Sequence, residues 1–213
     1  MIYQDSSVYF KNYSTPSTIP FNTSVLSDTI DYDLYDASLI SKKINLKKLN
    51  KEIYYYFMKE YIASSEEYYK NLAGDEYMGT GIDTTYRRSE LYFCGKLNLQ
   101  PGVQSLVILE QEPDNFHRNR FLKSLLLYNI RNNKLCSIIS LSMKCAGIDT
   151  ALNIKSYFTC GKYFTQVKFG EANYDLPAEL LNELNLNDEN REALYYSKFM
   201  VDKNGYIEFL NYK

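Results

Sequence analysis

One histidine, four dispersed cysteines and a few acidic and arginine-bearing loops are all this chain offers for chemistry. His117 lies in the polar run Pro113-Asp114-Asn115-Phe116-His117-Arg118-Asn119-Arg120 between two apolar stretches. Without a second imidazole no His-rich metal site can form, and a Ser-His-Asp or Cys-His site would need this loop to turn inward. A solvated loop histidine is the expectation. Glu110 and Glu112, two apart at a strand end, would share a face and could bring two carboxyl groups to a sugar, although strand-end glutamates are more often solvated. Asp83, Glu110 and Asp114 could contribute to a loose calcium site, but no EF-hand spacing supports one.

The stretch from Gly74 to Arg88 is the better binding candidate. Gly74, Gly79 and Gly81 free the backbone, Tyr77 and Tyr86 offer stacking faces, and Arg87 with Arg88 supplies forked donors for a carboxylate or phosphate. It lacks the Gly-Lys-Ser/Thr ending of a P-loop, so a nucleotide reading fails. The expected ligand is acidic or rich in hydroxyls, held without a catalytic group. Tyrosine is the compositional outlier, with 22 Tyr in 213 residues. Consecutive residues point around a helix in different directions, so Tyr54-Tyr55-Tyr56 cannot all enter one core. Some must face a surface or interface, where a rigid ring with a hydroxyl suits glycan or protein recognition.

Cys94, Cys136, Cys145 and Cys160 show no CxxC spacing and do not read as a zinc site. They are expected to be free thiols, with a Cys94–Cys160 disulfide as the alternative. Cys136 and Cys145 on one straight strand would stand roughly 30 Å apart. No cofactor and no tightly bound transition metal is expected. Lys plus Arg (24) nearly balances Asp plus Glu (26), so no broad cationic field invites nucleic acid. No apolar run approaches the roughly 20 residues of a membrane-spanning helix. The start Met1-Ile2-Tyr3-Gln4-Asp5-Ser6-Ser7 has neither a basic head nor an apolar core, so it is no secretory signal. Two explanations stay open: a cytoplasmic protein, or a chain that begins after a removed signal or anchor, whose Ser/Thr-rich stretch to about Ser24 would be the tether.

The elements that must position these residues read as an α+β protein, an antiparallel meander of about six to eight strands packed by an N-terminal helix. Residues 1–40, with Pro16 and Pro20, read as an extended lead-in to one α+β domain over 41–213. Leu46, Leu49, Ile53, Tyr56 or Phe57, and Tyr61 recur at spacings of three and four, which predicts a helical region over 45–73 with Asn45 as its N-cap. The β-rich region runs from 90 to 213. Leu91-Tyr92-Phe93-Cys94 leads through Gly95 and the turn Pro101-Gly102 into Ser105-Leu106-Val107-Ile108-Leu109. Lys123–Ile130 and Leu135–Met143 flank Arg131-Asn132-Asn133-Lys134, and Phe199–Val201 with Tyr206–Phe209 flank Asp202-Lys203-Asn204-Gly205, which predicts two hairpins. Alternation over 162–169 predicts a strand with one packed and one largely wet side, and Asp175-Leu176-Pro177 starts a short helix near 176–185. Tyr92-Phe93-Cys94-Gly95-Lys96 and Tyr157-Phe158-Thr159-Cys160-Gly161-Lys162 echo each other, as either a repeat or two strands with the same turn chemistry.

The Tyr-Phe-x-Gly-Lys order, the pairing of Leu127-Tyr128-Asn129 with Lys134-Leu135 and the terminal Asp-Lys-Asn-Gly-Tyr-Ile-Glu-Phe over 202–209 resemble uncharacterised β-meander proteins of gut bacteria, often predicted to be lipoproteins. The resemblance covers about residues 90–210 and implies an envelope location. The expected function is non-catalytic binding of a protein or glycan there. A carboxylate-dependent hydrolase and a cytoplasmic partner-binding or immunity-type protein are the alternatives.

Overall fold

A computed structural model describes residues 10–42, 46–60, 89–111, 121–146, 151–169 and 193–210. Over these the protein is mostly β. Its strands are β1 (Phe10–Thr18), β2 (Leu34–Tyr35), β3 (Lys47–Lys48), β4 (Glu90–Leu97), β5 (Val103–Gln111), β6 (Phe121–Arg131), β7 (Lys134–Ala146), β8 (Ala151–Thr159), β9 (Tyr163–Phe169), β10 (Ala193–Val201) and β11 (Ile207–Leu210). All join one 11-stranded sheet whose main path runs in order from β11 to β3, with β1 beside β7 and β2 beside β8. The strand pairs are antiparallel. This corrects the α+β reading with six to eight strands. Three of the extra strands come from the first fifty residues. In β1 the register slips between Asn12 and Ser17, and Pro16, which has no N–H to give a ladder, sits in that slip. The alternation is broken there, which is why the strand does not show in the sequence.

The helical expectation over 45–73 also changes. Lys47 and Lys48 pair with Phe93 and Tyr92 as a sheet edge, so the helix does not run through them, and Asn45, the expected N-cap, lies outside the described residues. The helix described covers residues 51–60. Asn50 caps it: its Oδ1 accepts from the Ile53 amide at 2.9 Å and its carbonyl from the Tyr54 amide at 2.8 Å. Leu46 packs on one core and Leu49 on another, so their spacing of three was a coincidence of an extended segment. Residues 61–73 and the short helix near 176–185 lie outside the described residues.

The tight turns fall where the sequence puts them. Asn132 and Asn133 both take positive φ (51° and 58°), giving the two-residue connection of the β6–β7 hairpin. In the β10–β11 turn Gly205 takes φ 87°, and the Asp202 carboxylate accepts from the amides of Asn204 and Tyr206. Pro101-Gly102 closes β4–β5, with the Val103 amide donating to the Gln100 carbonyl. Cys160-Gly161 turns β8 into β9, whereas Cys94-Gly95 forms a bulge within β4, so the two halves of the echo do different work.

Alternation sends the side chains of the central strands to two cores. Val103, Val107, Leu109, Leu125, Leu127, Ile139 and Leu141 enter the first, where Phe164, Phe199, Val201 and Ile207 from the far end of the sheet fold back over them. Phe164 stacks on Phe199 at 5.2 Å and meets Tyr35 edge-on at 5.6 Å. Leu106, Ile108, Leu126, Tyr128, Ile130 and Ile138 enter the second, beneath the helix and the N-terminal segment. The sheet is thus curled and covered on both faces. In β9, Phe164, Thr165, Gln166 and Val167 are all buried, which corrects the one wet side expected there.

Polar chains close the curl. Ser105 donates to Asn129, Asn129 to Ser137, and Ser137 to the Gly205 carbonyl, at 2.6, 2.8 and 2.6 Å. Asn12 imitates a strand: its amide donates to the Ile207 carbonyl at 2.9 Å and accepts from the Ile207 N–H at 2.8 Å. A second buried group pins the bend, with Ser142 accepting from the Ala37 amide and Gln166 donating to the Ser140 carbonyl. Directional networks of this kind favour one register where apolar packing alone would tolerate several.

Candidate binding surface on the helix over residues 51–60

The helix shows what each member of the tyrosine triplet does. Ile53, Phe57 and Met58 are buried in the second core with Leu106, Ile108 and Tyr128. The Phe57 ring lies 4.5 Å from that of Tyr128, whose hydroxyl donates to the Phe57 carbonyl at 3.2 Å. Tyr56 leans toward β1: its ring meets Phe21 edge-on at 5.5 Å, and its hydroxyl donates to Ser17 Oγ at 3.3 Å. Ser17 in turn donates to Glu60 Oε1 at 3.1 Å. Burial is the main cause that pushes the Tyr56 phenol up to about 12, with the Glu60 charge adding to it. Burial also raises Tyr13, which shares Glu60. Both remain neutral donors near neutral pH, holding helix to strand.

Tyr55 points the other way. It is 66% exposed, and its ring packs edge-on against Tyr54 at 5.4 Å. Lys51, Tyr55 and Lys59 are four apart and all exposed, so they form one stripe on the solvent side of the helix. Among the described residues neither lysine is ion-paired. Their neighbours in sequence are engaged: Lys48 pairs with Glu90, and Lys47 donates to the Val25 carbonyl. The stripe follows from i, i+4 spacing and was legible in the sequence, but the apolar positions on the opposite side dominate a periodicity reading.

The residues favoured from sequence, Tyr77, Tyr86, Arg87 and Arg88, lie outside the described residues, as do His117, Glu112, Asp83 and Asp114. The segment carrying the first four leads directly into β4. Glu110 is fully buried on β5, opposite Ser124 of β6, and presents no surface to a substrate. No disulfide joins Cys94 and Cys160, which overturns that alternative. Among the described residues no group of three or more His, Cys, Asp and Glu could hold a metal ion, and no helix is long and apolar enough to cross a membrane.

Over the described residues, fold and surface define a β protein of one curled antiparallel sheet, carrying a docked helix whose outer side bears Lys51, Glu52, Tyr55 and Lys59. Comparison with protein-family models, with curated proteins and with solved structures finds no match for this chain.

Proposed function

We propose that the protein is a non-catalytic binding protein that engages a partner through the outward face of the helix over 51–60. Tyr55 carries the reading: a large ring stands mostly in solvent while the same helix is held from behind by Ile53, Phe57 and the Tyr56–Ser17–Glu60 chain. A preorganised aromatic group loses little freedom on binding, which is what a contact residue requires. An envelope location is part of the proposal, supported by the likeness over residues 90–210. Protein and glycan ligands both suit an exposed tyrosine ring.

A randomised peptide library and a glycan array, probed with the native protein, test this. Tyr55→Ala should weaken capture of the best ligand at least tenfold, about 1.4 kcal/mol, with an unchanged melting temperature. Arg87→Ala, Arg88→Ala is run beside it. Full binding by folded Tyr55→Ala would overturn the proposal, and loss confined to the arginine variant would move the site to the segment before β4.

A further inference from the structure

We infer that Asn204 is a latent modification site: its sequence context primes it to lose its amide nitrogen, the native β10–β11 turn holds it back, and Arg131 is the latch. Asn204-Gly205 is the one Asn-Gly pair in the chain. Asparagine is a thermolabile residue, and a following glycine has no Cβ to hinder its backbone nitrogen from reaching the asparagine side chain. The step is a ring closure. The Gly205 nitrogen gives up its proton and bonds to Asn204 Cγ, the Cγ–Nδ2 bond breaks, and ammonia leaves with that proton. Water then opens the cyclic imide, at Cγ to give aspartate or at the residue-204 backbone carbonyl carbon to give isoaspartate.

The reacting groups are all engaged elsewhere in the native turn. The Gly205 N–H donates to the Asp202 carbonyl at 3.0 Å, so the nucleophile is tied up. Asn204 Oδ1 accepts from Arg131 Nη1 at 2.6 Å and its Nδ2 donates to the Asp202 carboxylate at 3.4 Å, so both ends of the side-chain amide are held. Gly205 is buried, and its carbonyl accepts from Ser137 at 2.6 Å. Ring closure therefore requires the turn to open first. The Arg131 guanidinium reaches across from the end of β6 and is the one charged donor among these contacts. A charge-assisted bond is the strong kind, so its loss raises the open population most. An isoaspartyl link adds a methylene to the backbone between residues 204 and 205, which moves the Gly205 carbonyl off Ser137 and pulls on the Asn12–Ile207 bonds two residues on. Modification would thus unpick one end of the polar chain that closes the curl.

The test ages the full chain at mildly alkaline pH, digests it with an acid protease and reads conversion at Asn204 by mass spectrometry. Native protein, urea-unfolded protein, Arg131→Met and Ile53→Val are compared, the last being a mild destabilisation in the second core. The unfolded chain should convert fastest and the native protein slowest. Folded Arg131→Met should convert about tenfold faster than native, the shift in local opening expected on losing one charge-assisted bond, while Ile53→Val keeps the native rate. If Arg131→Met does not fold, Arg131→Lys replaces it, keeping the charge but losing the guanidinium fork, with the same direction of change. The inference is overturned if native protein converts as fast as the unfolded chain, if the Arg131 variant is no faster than native, if Ile53→Val gains as much, or if the gain falls on asparagines other than Asn204.

Discussion

Ile53→Asp should cost several kcal/mol of folding stability, enough to shift the denaturation midpoint grossly or to leave the chain unfolded at room temperature. Ile53 is 4% exposed and packs in the second core with Leu49, Phe57 and Leu106. The substitution forfeits about 1.5–3 kcal/mol of apolar burial and introduces a carboxylate where no water can solvate it. Tyr55→Asp, two residues on and largely exposed, should change stability by no more than about 0.5 kcal/mol. Urea denaturation of the two variants makes the comparison. Equal stability of Ile53→Asp and the native protein would mean the helix is not docked on that side, and its outward face would lose its definition.

Gly95→Ala should be nearly as damaging, for a steric reason. A Cβ built on Gly95 would lie 2.3 Å from Ile30 Cγ2 and 2.9 Å from Ile30 Cγ1, and the residue has φ +151°. Ile30 cannot retreat easily: its amide donates to the Lys96 carbonyl at 3.0 Å, and the Lys96 amide donates to Asp28 at 2.6 Å. The 28–30 segment is laced to β4 by both the amide and the carbonyl of Lys96, the residue after the glycine, so relief means displacing backbone. A loss of about 3 kcal/mol is expected, within the range for overpacking plus a strained φ. Gly102→Ala is the control, because Gly102 also has positive φ (+76°) but nothing within 4 Å of the added carbon. It should cost about 1 kcal/mol from backbone strain alone. Ile30→Ala combined with Gly95→Ala should recover part of the loss, since the two share one contact. A Gly95→Ala protein as stable as Gly102→Ala would show that Ile30 does not pack there.

The sequence announces its turns better than its sheet. Asn132-Asn133, Pro101-Gly102 and Asp202-Lys203-Asn204-Gly205 are legible because each turn needs a specific φ or cap, and few residues supply it. The strand count is not legible for a physical reason. β2 and β3 have only two residues each, and β1 slips register at Pro16, so neither length nor alternation marks them. They exist because the long strands β4, β7 and β8 leave backbone groups that these segments satisfy. Burial on both faces hides β9 in the same way: with Thr165 and Gln166 inside, alternation no longer separates wet from dry.

The binding surface was half legible. That three consecutive tyrosines cannot share a core follows from helical geometry. Which one stays outside depends on Phe21 and Ser17, more than thirty residues earlier, which draw Tyr56 inward. No local pattern in 45–60 carries that information. Glu110 shows the converse: its place at a strand end suggests solvent, yet it is fully buried.

Hydroxyl-radical footprinting of the tyrosines, with and without the tightest ligand from the peptide and glycan screens, tests the central claim most directly. Free protein should be labelled readily at Tyr55 and hardly at Tyr35 and Tyr128, which have no exposed surface. At ligand saturation Tyr55 labelling should fall several-fold while the buried pair stays unchanged. Undiminished labelling of Tyr55 on the saturated protein would contradict the account.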